Sequence, residues 1–256
     1  MKTFDAYAQY YDLLYKDKDY QSESAYTNRL IKAINPEASS LLNLGCGTGK
    51  HDLHFLNQGY DVVGVDLSPG MIQEANAFLS KDIAAGRASF QEGDVRTVRL
   101  NKKFDAVVSL FHVISYQTQN TDITNMLESV AAHLQKGGIF VFDCWYGPAV
   151  LTDKPVVRVK RLENEHISVT RIAEPVIHPN ENLVDVNYEV LIQDKQDSAN
   201  RQLVRETHTM RYLFLPEIEF FLQKAGFEIV KKEEWMTGNE PGLNSWNIVV
   251  ICKYNP

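Results

Sequence analysis

A glycine-rich turn after an apolar run constrains the fold of this chain more than any other feature. Residues 41–44 are Leu-Leu-Asn-Leu, and Gly45, Gly47 and Gly49 follow at alternate positions before Lys50. An apolar run that meets glycines is typical of a buried strand leading into a tight turn, where the backbone can approach a ligand closely. In open α/β sheets, ligands bind at the carboxyl ends of the strands. The run therefore predicts a first strand, a ligand-binding turn and a following helix.

The next hundred or so residues alternate short β-branched or apolar runs with longer stretches of helical periodicity. This alternation is the signature of βαβ units and a parallel sheet. The predicted strands cover residues 40–45, 61–66, 89–92, 104–110 and 139–143, and the predicted helices cover 49–58, 69–85 and 121–135. Lys136-Gly137-Gly138 is predicted to end the last helix, because glycine readily forms a left-handed cap. The expected class is a doubly wound α/β fold.

The periodicity changes after Pro148. Four stretches alternate apolar and polar residues with period two, as Val184, Val186 and Tyr188 do along one face. Such alternation predicts an antiparallel sheet with one buried and one wet face. The predicted strands cover residues 156–161, 166–177, 183–193 and 202–212, and they are followed by a helix at 216–225 and strands at 227–232 and 246–252. We therefore predict an α/β domain of residues 1–147 and 213–256, interrupted by an antiparallel β insertion of residues 148–212.

The composition limits which binding partners and which cellular compartment are expected. The 256 residues include 26 basic and 33 acidic side chains, a formal charge of −7, which disfavours binding to phosphate backbones. No apolar run approaches the roughly 20 residues that span a bilayer, and the N-terminus lacks the order of a signal peptide. The three cysteines, Cys46, Cys144 and Cys252, lie far apart in apolar or glycine-rich sequence. We expect a cytoplasmic protein with reduced thiols and neither a nucleic-acid nor a membrane partner.

Three common ligand patterns are not matched. A dinucleotide fingerprint needs a glycine three residues after Gly47, where this chain has Lys50. The glycine spacing and the Lys-Ser/Thr pair of a P-loop are also missing. His51 and His54 form one close histidine pair, but no third ligand follows at a metal-binding spacing, so no metal site is predicted.

Two aspartates follow the next two predicted strands. Asp66 ends the run 62–66, and Asp94 stands in Glu92-Gly93-Asp94-Val95 after the third strand. A carboxylate at the first position is suited to accept hydrogen bonds from both hydroxyls of a ribose, and one at the second from the amino group of an adenine. A lone strand-end aspartate is about as often a helix cap or a salt-bridge partner as a ligand contact, and Asp66 before Ser68-Pro69 fits that alternative. Both aspartates in order after the glycine turn favour a nucleoside site.

Together these motifs resemble those of the class I methyltransferases that use S-adenosylmethionine (AdoMet). The similarity covers roughly residues 30–145 through LNLGCGTG, VVGVDLS, EGDV and FDAVVSLFHVISY. It implies a Rossmann-like sheet with helices on both faces and AdoMet as the cofactor. The cofactor contacts that it implies are Gly45, Cys46, Gly47 and Gly49 for the methionine and ribose, Asp66 for the ribose, Leu67 and Met71 beside the adenine, Asp94 and Val95 at the adenine edge, and Leu110 near the methyl group.

The N-terminal segment is rich in tyrosine, with six of the twelve tyrosines in the first 26 residues. One interpretation is a helix whose aromatic stripe packs on the sheet, and the other is a lid over the ligand. In the lid interpretation Tyr11, Tyr15 and Tyr20 cap the cofactor, because tyrosine faces suit a cationic sulfonium. We assign Tyr11 and Tyr20 to the cofactor and Tyr15 to the substrate.

A narrower resemblance extends over nearly the whole chain. The segments Tyr11-Asp12, Asp19-Tyr20, 111–116, 145–148 and 208–226, with the β insertion, resemble the N-methyltransferases that act on nucleotide-linked amino sugars in macrolide pathways. The resemblance implies a small-molecule acceptor, contacts from Trp145 and Tyr146, and a β-sheet that covers the acceptor and favours homodimers. Two positions depart from the pattern: Tyr116 stands where some members have histidine, and Ser245-Trp246 stands near an expected arginine-glycine contact to the nucleotide phosphate.

His112 and Tyr116 are the candidate catalytic residues. An amine acceptor needs only to arrive unprotonated, whereas an aliphatic hydroxyl needs a base within hydrogen-bond reach. His112 has the alternative interpretation of a histidine buried after a strand with its hydrogen bonds satisfied. The sequence favours N-methylation of an amino sugar or a similar amine, with O-methylation of a small hydroxylated metabolite as the alternative.

Two other classes remain open from the sequence. A nicotinamide-dependent oxidoreductase would use the same Rossmann-like core and a ribose-binding Asp66, although Lys50 and the EGDV segment argue against it. A noncatalytic AdoMet-binding module is the other, because binding residues alone do not establish turnover.

Overall fold

The computed structural model describes residues 13–197 and 201–256. Within them, one sheet has seven strands, of which the first five in the chain are parallel and the last two are added at one edge by antiparallel pairing, and a separate sheet has four strands. The strands of the larger sheet are β1 (Ser40–Leu44), β2 (Asp61–Asp66), β3 (Ala88–Glu92), β4 (Phe104–Ser109), β5 (Leu134–Trp145), β10 (Phe227–Glu234) and β11 (Asn247–Tyr254). The helices are α1 (Tyr20–Ile34), α2 (Lys50–Asn57), α3 (Pro69–Phe78), α4 (Ser80–Ala84), α5 (Asn120–His133), α6 (Gly147–Thr152) and α7 (Leu215–Lys224).

Alternation along the central strands explains why helices cover both faces of the larger sheet. Leu42 and Leu44 of β1 belong to the apolar cluster that contains residues of α5 and α7. Leu41 belongs to the cluster that contains residues of α1, α2 and α3. Successive side chains of a strand point to opposite faces, so a run that is apolar throughout needs cover on both. The α/β fold with an additional antiparallel sheet, as predicted, is confirmed.

Two predicted helix ends were wrong. The predicted helix over residues 69–85 is two helices, α3 and α4. Helix α5 ends at His133, and Lys136-Gly137-Gly138 lies inside β5 instead of capping the helix. Leu134 pairs with Phe104 of β4, and the pairing is irregular before Ile139. Gly137 has a φ of +84°, so its left-handed backbone serves this irregularity within the strand.

The four-stranded sheet consists of β6 (Arg158–Glu163), β7 (Ile167–His178), β8 (Leu183–Asp194) and β9 (Arg201–Arg211), all antiparallel. Its inner face packs against the rest of the chain, with Val169, Val190 and Val204 in one cluster with Met71. Its outer face is exposed and includes the apolar side chains Val159, Val176, Leu191 and Leu203. The predicted domain boundaries at residues 147 and 213 stay a prediction.

The chain returns from the second sheet beside the point where it leaves the larger sheet after β5. Leu213 donates a backbone hydrogen bond to Trp145 at 2.9 Å, and Gly147 donates one to Leu213 at the same distance. The start of α6 and the end of the second sheet are thus joined. Among the described helices, none combines the length and the hydropathy needed to cross a membrane.

Candidate active site

A cavity of about 510 Å³ lies between the carboxyl ends of the larger sheet's strands and the inner face of the second sheet. Its volume is within the range of about 300 to 1,000 Å³ that is usual for small-molecule sites. The structure brings most of the predicted site residues to its wall: Tyr15, Tyr20, Gly45, Cys46, Gly47, Asp66, Leu67, Met71, Asp94, Val95, Leu110, His112, Tyr116 and Trp145.

The glycine turn after β1 forms the floor of the cavity. Gly45, Gly47 and Gly49 have φ values of +83°, +55° and +76°, a left-handed region that costs other residues free energy. A Cβ atom on Gly45 would lie 2.4 Å from a methyl group of Val113, whereas a Cβ atom on Gly47 would meet nothing within 4 Å. Gly45 is therefore required for packing, and Gly47 leaves open space beside a ligand.

Asp66 is held at the end of β2 by two backbone donors. The N–H groups of Gly47 and Ser68 each donate to one of its carboxylate oxygens at 2.9 Å. Burial raises the pKa of Asp66, against the lowering effect of these N–H groups. Each carboxylate oxygen keeps further lone pairs, so the group can accept hydrogen bonds from a ribose diol as well. The cap alternative is fulfilled by Ser68 instead, whose hydroxyl accepts from Met71 N–H.

Asp94 is paired with Arg96 at the wall of the cavity. The guanidinium donates to both carboxylate oxygens, the shortest distance being 2.6 Å, and also reaches Asp122 at 3.0 Å. The hydrogen bonds from Arg96 hold the pKa of Asp94 below its ordinary value, so the group is an anion at neutral pH. Both residues line the cavity, which places a cation and an anion where an adenine edge would bind.

His112 is backed by a buried carboxylate. Its Nδ1 atom lies 2.6 Å from Oδ2 of Asp143, a buried residue two positions before the end of β5. Burial raises the pKa of Asp143, but the charge and hydrogen bonds of His112 outweigh it and hold the pKa below its ordinary value. Because Asp143 occupies Nδ1, Nε2 is the ring nitrogen that can serve a bound molecule.

The second sheet contributes a wall that the sequence did not predict in detail. Val186, Tyr188, His208 and Met210 line the cavity from β8 and β9. The hydroxyl of Tyr116 lies 2.9 Å from Nδ1 of His208, so the 3₁₀ turn Val113–Tyr116 is joined to this sheet. Alternation along β9 could have indicated this wall, because it puts His208 on the same face as Val204 and Met210.

The N-terminal residues that the structure describes lie over the cavity. Tyr15 packs edge-on against Phe111 with ring centres 5.0 Å apart, and Tyr20 packs edge-on against His51 at 4.8 Å. Nε2 of His51 forms a hydrogen bond with a carboxylate oxygen of Glu23 at 2.7 Å. Tyr15 and Tyr20 line the cavity, while Tyr26 and Ile31 of α1 pack in the apolar cluster on the sheet, so the lid interpretation stays a prediction beside the packing one. Tyr11 lies outside the described residues.

Tyr146 and Gly49 are the described residues of the predicted set that do not line the cavity; Gly49 packs towards Leu79 and Ala75 instead. Tyr146 is buried in the cluster around β5 and β11, and its backbone N–H donates to Trp246 at 3.0 Å. Successive strand residues point to opposite faces, so Trp145 and Tyr146 cannot both face the ligand. Sequence reasoning missed eight further lining residues: Asn43, Thr48, Lys50, His51, Arg96, Phe111, Val113 and Gln117.

The residues present fit AdoMet. A glycine turn with open space at Gly47, a carboxylate with spare lone pairs at Asp66 and a polar pair at Asp94 and Arg96 follow three adjacent strands in order. Tyr15 and Tyr20 add aromatic faces, which attract a cationic sulfonium. In the described part of the chain, no three His, Cys, Asp or Glu side chains are grouped to hold a metal ion.

Comparisons with known proteins identify methyltransferases that are similar to this chain. A methyltransferase domain model matches residues 41–138. The dTDP-3-amino-3,4,6-trideoxy-alpha-D-glucopyranose N,N-dimethyltransferase of Streptomyces venezuelae is 33% identical over 238 residues, 92% of this chain and 94% of that protein. The dTDP-3-amino-3,6-dideoxy-alpha-D-glucopyranose N,N-dimethyltransferase of Streptomyces fradiae is 28% identical over 237 residues, which are 92% of this chain and 87% of that protein. The crystal structure of Streptomyces venezuelae DesVI superposes with a TM-score of 0.79 at 26% identity, covering 98% of both chains.

The fold and the cavity define a class I methyltransferase that uses AdoMet. The similarity to the Streptomyces enzymes extends over nearly the full length of both chains. This chain belongs to the family of AdoMet-dependent methyltransferases that contains those two N,N-dimethyltransferases. The predicted fold class, cofactor and enzyme class are confirmed, and the nicotinamide oxidoreductase and noncatalytic alternatives are set aside.

Proposed function

We propose that this enzyme methylates the nitrogen of an amino sugar. The observation that carries the proposal is the similarity of the whole chain, second sheet included, to enzymes whose names specify dTDP-linked amino sugars. The cavity supports it, because Tyr15, Tyr116, Tyr188 and His208 supply hydroxyl and ring groups on the side away from the glycine turn. Such groups are suited to a small polar acceptor that carries hydroxyls and an amine.

The residues of this chain have the following roles in the proposal. Gly45, Gly47, Asp66, Asp94 and Arg96 bind the cofactor, and AdoMet when bound supplies an activated methyl group. Tyr15 and Tyr20 cover the cavity and exclude water. His112 and Tyr116 hold the acceptor nitrogen in line with the methyl group, which is the main contribution that a methyltransferase makes. Trp145 borders the acceptor side.

Two cations lie near the acceptor side of the cavity. The Lys18 ammonium is 4.2 Å from the ring centre of Phe111, and the Lys160 ammonium is 5.9 Å from that of Tyr15. Trp246 stands near the position where the resemblance implies an arginine that contacts the nucleotide phosphate. Its ring N–H donates to Asp153 at 3.0 Å instead. The Lys18 ammonium already pairs with the Glu23 carboxylate. We therefore propose that Lys160 attracts the diphosphate of a nucleotide-linked sugar, a role in which a lysine acts as a point charge.

O-methylation is the second candidate, and the His112–Asp143 pair favours it. A histidine backed by a buried carboxylate is a base that can take the proton of a hydroxyl group. The pair is equally compatible with an orienting role for His112. The nature of the methylated atom therefore decides between the two functions.

The test is product analysis with a panel of acceptors. The enzyme would be incubated with AdoMet and with matched sugars that carry an amine or a hydroxyl at the same carbon, each free and linked to dTDP. NMR of the product identifies the methylated atom. We expect an N-methyl product and faster turnover of the dTDP-linked amine. An O-methyl product, or no turnover of any amine, contradicts the proposal.

We also propose that the enzyme is a cytoplasmic homodimer. Its cysteines, Cys46, Cys144 and Cys252, are free and buried, which suits a reducing compartment. Leu191 and Leu203 pair across β8 and β9 and are exposed on the outer face of the second sheet. An exposed apolar surface on a sheet is suited to a partner of the same kind. Residues 148–212 would then face the acceptor on one side and the second subunit on the other.

A further inference from the structure

A chain of three side chains leads from the cavity into the second sheet. Tyr116 lines the cavity, and its hydroxyl lies 2.9 Å from Nδ1 of His208. Nε2 of the same ring lies 3.3 Å from Oε2 of Glu206. The side chains of His208 and Glu206 are 3% and 5% exposed. The three groups therefore run inward from the acceptor to a carboxylate that solvent hardly reaches.

Glu206 is incompletely paired in this position. Its Oε1 atom is buried and has no hydrogen-bond partner among the described residues. An unpaired buried carboxylate is costly unless a cation faces it. The ring that faces Glu206 is His208, which becomes a cation when it accepts a proton. Before that, the carboxylate selects the tautomer with hydrogen on Nε2, which leaves Nδ1 to accept the Tyr116 hydroxyl.

We propose that Glu206 and His208 are positioning residues that enable Tyr116 to remove a proton from the acceptor amine. The inference deepens the proposed function and rests on it. The ammonium nitrogen of the acceptor gives a proton to the Tyr116 oxygen while the Tyr116 proton passes to Nδ1 of His208. The nitrogen recovers its lone pair, the tyrosine stays neutral, and the positive charge moves to a ring that faces Glu206. The lone pair then bonds to the methyl carbon as the carbon–sulfur bond breaks and its electrons remain on sulfur.

A route for this proton is needed because an ammonium has no lone pair for attack. An amine like that of lysine has a pKa of about 10.4, so at neutral pH almost all of it is protonated. Burial raises the pKa of Tyr116 well above its ordinary value, and nearby tyrosines add to this effect. Tyr116 therefore does not hold a negative charge of its own and must pass a proton on as it receives one.

The groups around His208 come from several elements. Tyr188 of β8 packs edge-on against the His208 ring at 5.0 Å, and the Arg171 guanidinium of β7 lies 4.9 Å from the Tyr188 ring centre. Tyr15 from the N-terminal segment and Asp66 from β2 also act on the Tyr116 hydroxyl. Glu206 of β9 is a described acidic group in contact with the His208 ring.

The variants His208→Gln and Glu206→Gln test the proposal, with Arg205→Gln as the matched control. Arg205 is the neighbour of Glu206 on β9, but it faces the outer side of the sheet, where it pairs with Glu189. We expect kcat/KM of His208→Gln at pH 7 to fall by about 10²- to 10⁴-fold, the usual contribution of a proton acceptor. The deficit should shrink about tenfold per pH unit towards pH 10, because solution then supplies the free amine. Arg205→Gln should keep the wild-type profile.

The charge on the ring gives a readout that is independent of turnover. In protein labelled with ¹⁵N-histidine, we expect the His208 ring signals to change from neutral to imidazolium when the amine acceptor binds with the demethylated cofactor product. The change should disappear in Glu206→Gln. A ring that stays neutral in the wild-type complex overturns the proposal, even if both variants fail to fold.

The outcomes separate this inference from the proposed function. An O-methyl product from the wild-type enzyme contradicts the proposed function itself. An N-methyl product combined with a deficit in His208→Gln that is the same at every pH contradicts only the proton route. Wild-type turnover in both Gln variants likewise overturns the route and leaves N-methylation standing.

Discussion

The carboxylate of Asp143 holds His112 by two atoms at once. Its Oδ2 atom lies 2.6 Å from the ring Nδ1, and its Oδ1 atom accepts the His112 backbone N–H at 3.3 Å. His112 and the preceding Phe111 have φ values of +63° and +65°, which cost residues with side chains roughly 1 to 2 kcal/mol each. One buried carboxylate thus stabilises both the ring and the strained turn that carries it into the cavity.

Asp143→Asn should destabilise the protein in a pH-dependent manner. His112 lowers the pKa of Asp143 in the folded state despite burial, so the stabilisation is present above the unfolded pKa of about 3.9. It is lost as the pH falls through the folded value. We expect a loss of about 3 kcal/mol at pH 7, where breaking a buried pair is costly, and a smaller loss near pH 3. Urea unfolding at both pH values measures this, and the exposed Asp61→Asn is the control.

Asp52→Asn should stabilise the protein at pH 8, in contrast to Asp143→Asn. Burial raises the pKa of Asp52 to about 7, although Asn43 donates to its carboxylate oxygens at 2.9 and 3.1 Å. A raised acid pKa means that stability falls as the pH rises from about 4 to 7, by on the order of 4 kcal/mol. The variant should therefore be more stable than the wild type at pH 8. Equal melting temperatures at pH 8 would show that Asp52 carries no such penalty.

Asp66→Asn should weaken AdoMet binding while the fold is retained. The change keeps the side-chain shape but removes the charge that would hold the ribose hydroxyls. Hydrogen bonds to charged groups contribute roughly 1.5 to 3 kcal/mol, which corresponds to a Kd about 10- to 150-fold higher. Calorimetry measures the affinity, and Asp61→Asn at the exposed start of the same strand is the matched control. Unchanged affinity in folded Asp66→Asn would remove the ribose assignment.

Gly45→Ala should mainly lower the stability of the protein, whereas Gly47→Ala should mainly weaken AdoMet binding. Gly45→Ala places a methyl group 2.4 Å from Val113, so we expect a loss of thermal stability, partly restored by Val113→Ala. Gly47→Ala meets no atom within 4 Å, so the melting temperature should fall less. Because that methyl group would occupy the ligand's space, AdoMet affinity should fall more than tenfold. Tight AdoMet binding by Gly47→Ala would show that the ligand does not approach this turn.

Leu203→Lys should dissociate the proposed dimer. The side chain is 52% exposed and pairs with Leu191, so a charge there disrupts an apolar interface without reaching the cavity. Analytical ultracentrifugation should show a dimeric wild type and a monomeric variant with the same AdoMet affinity. Lys224→Ala, on α7, serves as a control that stays dimeric. A monomeric wild type would contradict the proposal.

The cofactor side of the site could be predicted from the sequence because its signals are local. Gly45, Gly47, Asp66 and Asp94 each follow a strand directly, and parallel strands bring their carboxyl ends to one edge. The backbone conformation at Gly47 and the lone pairs at Asp66 follow from residue type alone. Short-range pattern and fold topology were sufficient here.

The acceptor side could not be predicted in the same way. Alternation showed that Val186 and Tyr188 share a face, but the face that meets the cavity depends on how the two sheets pack. Contact between Tyr116 and His208 joins residues 92 positions apart, which no local pattern reports. The prediction that Gly137 and Gly138 cap a helix failed for a related reason. Leu134 pairs with Phe104 of a distant strand, so the helix ends before the glycines and they lie within β5.

The hydrogen bonds that join Leu213 to Trp145 and Gly147 have a consequence for how such enzymes diversify. The second sheet is joined to the rest of the chain at this junction, so its length and sequence can vary without breaking any ladder of the larger sheet. Exchange of residues 148–212 between relatives would then transfer preference for the acceptor as a unit. Selection can in this way change what is methylated while the methyl-donor pocket is inherited unaltered.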